Sequence, residues 1–201
     1  MHQYLLDTAF AANGLINLLI HDSQELTSFE EKQKIAIGKE AYFDIEFMHR
    51  QMDATANYWH GRLHEAHKER IATEEQIKFL QAQILDKRFS LEALAAALLQ
   101  LAKQGISTVR GHPSKCPSGR KVQGVDLKLV VWAGRNQAQH YEEPKKIDEN
   151  TASVFTQLNA FAPEAQALAP KSKSNLAFEI VKLLGWHDYA QYQEDMVSLI
   201  G

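Results

Sequence analysis

The chain has 201 residues, 45% apolar and 23% charged, with a formal net charge of −3. That length buries a substantial core, and the mildly acidic balance excludes a protein that holds nucleic acid through its overall charge, leaving only a local basic patch for that purpose. One cysteine, Cys116, excludes an internal disulfide framework and a cysteine-built zinc site. It suits a reducing compartment. The opening "MHQYLLDTAF" lacks a basic n-region, and no stretch reaches the roughly 20 apolar residues of a membrane span. The expectation is therefore a cytoplasmic protein, with no signal peptide and no membrane partner.

Strand-type alternation is absent, whereas helical periodicity recurs along the whole chain. "YLLDTAFAANGLINLLI" predicts a first helix ending near His21 and Asp22. A long amphipathic helix follows, opened by Thr27 or Ser28 as cap with Glu30 and Glu31 in its first turn. Its apolar stripe is Ile45, Met48, Met52, Trp59, Leu63 and Ala66, with a break expected near Gly38 or Gly61. "TEEQIKFLQAQILD" reads as a third helix capped by Thr73. "SLEALAAALLQLAKQGISTV" reads as a fourth, capped by Ser90 and stopped at Gly105. "RGHPSKCPSGRKVQG" is a loop, long for a helix-to-helix connection. "VDLKLVVWAGRNQAQHYEE" predicts a helix over 125–143, halted by Pro144. "NTASVFTQLNAFAPEA", "SNLAFEIVKLLG" and "YAQYQEDMVSLI" complete an all-α chain, with "ALAPKSKS" as a linker ahead of a helical C-terminal extension over 174–201. The whole reads as a single all-α domain, 1–201.

The helix over 125–143 turns from apolar to polar and ends in "GRNQAQH". At about 100° per residue, Arg135 and His140 stand about 140° apart, flanking a polar sector rather than stacking. Asn136 and His140, four apart, share a face. A second copy of the helix packed across a two-fold axis would bring both residue types into one cleft. Histidine titrates near neutrality and moves protons, arginine forks onto phosphate oxygens, and amides orient both. Those are the parts of metal-independent RNA cleavage, in which a ribose 2′-hydroxyl attacks the adjacent phosphate. The plain alternative is a polar helix end, with Arg135 paired to Glu142 or Glu143 and His140 favoured by the helix dipole.

"GRNQAQH" resembles the Arg-x4-6-His signature of the HEPN superfamily, with four residues between Arg135 and His140 and a polar Asn136 directly after the arginine. The resemblance covers residues 90–160. It implies an HEPN-like helical bundle and a homodimer whose two motifs meet at the interface. It also implies a cofactor-free endoribonuclease of bacterial defence or toxin–antitoxin type, with an antitoxin or other partner protein. Arg135 and His140 would be catalytic and Asn136 supporting. Superfamily members that have lost catalysis keep an RNA-, nucleotide- or protein-binding role, which is the competing reading.

Local charge agrees with an RNA partner. From Arg110 to Lys146 there are eight basic residues against three acidic ones, an excess of five in a net-negative chain. Lys115, Arg120, Lys121 and Lys128 are the candidate phosphate contacts. A separate, metal-binding alternative rests on "HGRLHEAH", which sets His60, His64 and His67 on one helical face. No His-Glu-x-x-His spacing accompanies it.

Overall fold

The computed structural model describes residues 2–51, 56–160, 168–171 and 173–201, with the side chains of 44, 46–66 and 144 outside that description. It is mostly helical. The elements in order are α1 (Gln3–Gln51), α2 (Ala56–Arg110), a 3-10 turn at Pro113–Lys115, β1 (Lys121–Val122), β2 (Val125–Asp126), α3 (Leu127–His140), a 3-10 turn at Pro144–Lys146, α4 (Glu149–Asn159), α5 (Ala177–Leu184) and α6 (Tyr189–Ile200). No helix among the described residues is long and apolar enough to cross a membrane.

The helix ends expected near His21 and Gly105, and the caps expected at Thr27, Thr73 and Ser90, do not occur. All five positions lie inside α1 or α2. Thr27 Oγ1 instead donates to the Ser23 carbonyl at 3.0 Å and Thr73 Oγ1 to the Glu69 carbonyl at 2.9 Å. A hydroxyl satisfied four residues back loses its reason to interrupt the helix. No proline falls within either helix to force a break. Gly105 serves close packing rather than termination: a β-carbon there would lie 2.7 Å from the Tyr4 ring and 3.0 Å from the Ile200 side chain.

The chain packs as two compact units, Asp22–Phe89 and Met1–His21 with Ser90–Gly201. Within Asp22–Phe89, Ala36 packs with Ile77 and Leu80, and Phe29 lies against them. Ion pairs Lys87–Asp22 (2.9 Å) and Arg88–Glu30 (2.7 Å) join the same two helical segments.

The other unit holds the larger core. Leu91, Leu98, Leu99, Ala102 and Ile106 are fully buried at helical spacing along α2, and Phe155, Leu158, Ile180, Leu184 and Met196 are fully buried on α4, α5 and α6. The C-terminal helices thus belong to this core. α3 packs against α4, α5 and the hairpin. The loop expected at 110–124 contains structure that the sequence did not announce. Lys121 pairs with Asp126 and Val122 with Val125 across a turn whose Gln123 and Gly124 both have positive φ (46° and 76°). That is the backbone of a tight two-residue hairpin turn, and it moves the start of the motif helix from 125 to 127.

The same unit is tied internally by Asp195, 2% exposed. Its carboxylate accepts from Arg120 Nε (2.7 Å), Arg120 Nη2 (2.9 Å) and Trp186 Nε1 (2.8 Å), and Arg120 Nη2 also donates to the Leu184 carbonyl at 2.6 Å. Removing a buried carboxylate strands these donors and that of Gln191, whose Nε2 reaches Oδ1 at 3.3 Å. Asp195→Ala is therefore expected to cost about 2–4 kcal/mol, a range that allows for the partial exposure of Arg120. Denaturant unfolding measures it; a loss below about 1 kcal/mol would put the strength of this corner in apolar packing alone.

Candidate functional site

The site is built on α3, whose rotation about its own axis is fixed by burial. Leu127, Val130, Val131, Ala133, Gly134 and Gln137 are buried. Counting from Lys128 at about 100° per residue, Ala133, Gln137, Val130, Gly134 and Val131 occupy an arc from about 140° to about 300°. Gly134 is required there, because a β-carbon would come within 2.8 Å of Ile180 Cγ2 on α5. The remaining arc stays open: Arg135 at about −20°, Trp132 at about 40°, Asn136 at about 80° and His140 at about 120°. Gln137, though it falls within the polar run "GRNQAQH", belongs to the core. Fully buried, it donates from Nε2 to the Ser174 carbonyl at 2.8 Å and accepts at Oε1 from the Leu176 amide at 2.9 Å. It therefore stitches the approach to α5 onto α3.

Arg135 does not pair with Glu142 or Glu143. Its Nε donates to Gln100 Oε1 on α2 at 2.7 Å, and its Nη1 to Asn136 Oδ1 at 3.4 Å. No carboxylate comes within ion-pair distance of it among the described residues. Burial lowers its pKa from the ordinary guanidinium value. Glu143 instead binds Lys146 at 2.7 Å, and Glu142 accepts from the Tyr141 hydroxyl at 3.2 Å. The carboxyl of Glu143 is held below its usual range mainly by Lys146, with His140 adding the smallest part. The His140 ring, half-buried at the last turn, has no hydrogen-bond partner among the described residues.

Sequence reasoning missed Lys103. Its Nζ sits 4.6 Å from the centroid of the Trp132 ring, and its pKa is lowered first by burial and then by the charge of Arg135. Two neighbouring cations, with no carboxylate paired to either among the described residues, form a local excess of positive charge at the α2–α3 seam. The signal was present in the sequence as the one charged residue of the helix stretch "LLQLAKQG". On the same side, a cavity of about 590 Å³ opens between the Pro113–Lys115 turn, α3 and α4. Lys128 lines it and donates to the Cys116 carbonyl at 2.7 Å, and the His112 ring stands 5.7 Å from that of Trp132.

No protein family model matches the chain, and no curated protein or solved structure matches it.

The other expected residues are dispersed. Arg120 is engaged with Asp195, Lys121 pairs with Asp126 at 2.5 Å, and Lys115 is exposed on the 3-10 turn. Only Lys128 of those four lines the cavity. In the histidine ladder, the side chains of His60 and His64 lie outside the described residues, while His67 is exposed.

Gln137→Leu keeps the volume and leaves two backbone groups and no amide to meet them. The expected loss is about 1–3 kcal/mol, read from the denaturation midpoint. An unchanged midpoint would mean that the approach to α5 is held by other contacts.

Proposed function

We propose that this chain is a metal-independent endoribonuclease of the HEPN type, acting as a homodimer through the open face of α3. The observation that carries the reading is Arg135, a part-buried guanidinium held by two neutral amides rather than by a carboxylate. Keeping a desolvated cation without a counter-ion costs stability, so such a group is matched to an anion that arrives from outside. Nη2, and the second hydrogen of Nη1, are available for the non-bridging oxygens of an RNA phosphate. His140 takes the 2′-hydroxyl proton as the 2′-oxygen bonds to phosphorus. The bond from phosphorus to the 5′-oxygen then breaks, leaving a 2′,3′-cyclic phosphate, and the departing 5′-oxygen takes a proton from water or from the His140 imidazolium to leave as a hydroxyl. Arg135 stabilises the charge that develops on the phosphorane, and Asn136 fixes the arginine. The reaction uses no cofactor. The bacterial defence or toxin–antitoxin role, with an antitoxin as partner, is proposed on the resemblance of "GRNQAQH" to that superfamily.

A second reading has its own observation. On one α3, Arg135 and His140 stand about 140° apart with Trp132 and Asn136 between them, so one copy does not join the pair. A chain that fails to dimerise through this face would bind RNA without cutting it.

Incubating the protein with labelled mixed-sequence RNA in EDTA tests the reading. Wild type is expected to release fragments ending in 2′,3′-cyclic phosphate, and Arg135→Ala/His140→Ala to lose at least about 100-fold in rate with its helicity intact. Salt-sensitive RNA binding with no cleavage would favour the binding module. Cleavage that survives in the double variant would remove these residues from catalysis.

A further inference from the structure

The cavity beside Trp132 has chemistry that a phosphate grip does not need. Its volume, about 590 Å³, falls in the range of small-molecule sites. Its walls carry the indole of Trp132, the imidazole of His112, the ammonium of Lys128, the amides of Asn150 and Gln157, and the carboxylate of Asp148. A site for a bare anion has no use for an indole or for a carboxylate. A site for a greasy ligand has no use for two amides and a lysine. Flat heteroaromatic rings with donors and acceptors around their edge satisfy the whole set, because they stack on indole and hydrogen-bond to amides at the same time.

The cations complete the picture. Lys103 lies on the Trp132 ring and beside Arg135. On α3 the cavity is walled by Lys128, Leu129, Trp132 and Ala133, at about 0°, 100°, 40° and 140°, and Arg135 at about −20° lies just beyond the Lys128 edge, so Trp132 borders both the cavity and the cation pair. Asp148 accepts from the Thr151 amide through Oδ1 at 2.6 Å as the cap of α4, and its second oxygen has no partner among the described residues. Lys128 uses one of its three donors on the Cys116 carbonyl.

We infer that this cavity is a nucleotide subsite: the base of one RNA residue enters beside Trp132, with its edge read by Asn150, Gln157 and Asp148, and its phosphate meets Lys103 and Arg135. The free oxygen of Asp148 favours bases that present N–H donors on that edge. The subsite rests on the reading of α3 as an RNA-facing helix and adds to it which part of the RNA is held, and by what. It also explains Lys103, which the cleavage chemistry does not use.

Calorimetric titration with the four nucleoside 5′-monophosphates tests the subsite apart from cleavage, with inorganic phosphate and the matching nucleosides as separate probes, all in EDTA. At least one mononucleotide is expected to bind one per chain, more tightly than its nucleoside and than phosphate. Trp132→Ala is expected to weaken it about tenfold or more through lost stacking, and Lys103→Gln to weaken it and flatten its salt dependence. Asn150→Ala, on an exposed side chain, reports on the cavity should Trp132→Ala fail to fold. No binding of any mononucleotide at millimolar concentration, or binding that both Trp132→Ala and Asn150→Ala leave unchanged, overturns the subsite even if RNA is cleaved. Mononucleotide binding with these sensitivities and no cleavage keeps the subsite and removes the nuclease.

Discussion

The rotation of α3 is the constraint on which the site depends. Val130, Val131, Gly134 and Gln137 turn one side of this helix into the core, and each resists rotation for a different reason. The valines would lose apolar burial. Gly134 lets Ile180 approach to a distance that no side chain permits. Gln137 would strand the Leu176 amide and the Ser174 carbonyl. With that arc fixed, Lys128, Trp132, Arg135, Asn136 and His140 have only one way to face. The chemistry on the open side follows from the packing on the closed side.

The same helix shows what kind of energy function retains. A guanidinium bonded to amides alone, with Lys103 pressing a second positive charge toward it, is a poor arrangement for stability. Fifteen residues away in the same unit, Arg120 shows the stabilising alternative: a bidentate grip on the buried Asp195, reinforced by the Trp186 indole. Its pKa rises because that carboxylate holds its protons. One arginine closes the core, and the other is bonded only to the amides of Gln100 and Asn136. The contrast between the two is the strongest physical argument for a binding surface on α3.

Much of this was legible in the sequence, and the limits have physical causes. Apolar periodicity located the helices of the C-terminal half to within a few residues, and Gly185, left-handed at φ 70°, ends α5 where the pattern placed a stop. Caps misled in the first half, because Thr27 and Thr73 have the chemistry of a cap and use it on a carbonyl one turn back. The hairpin escaped because two residues per strand cannot display an alternation. Among the site residues, the motif itself was legible because Arg135, Asn136 and His140 are close in sequence. The roles of Gln137 and Arg120 were not, since their partners lie 37 to 75 positions further along. The cation at Lys103 has the same explanation, being a helix away from the ring it covers.

The central claim is that the open arc of α3 is the surface that meets RNA. Photocross-linking tests it most directly: the protein is irradiated with RNA carrying 4-thiouridine, and the modified peptides are mapped by mass spectrometry. The account predicts adducts on the peptides that carry Trp132 and Lys103, lost when excess unlabelled RNA competes. Adducts confined to peptides from Asp22–Phe89, with none on α3 or on the α2 segment beside it, would contradict it.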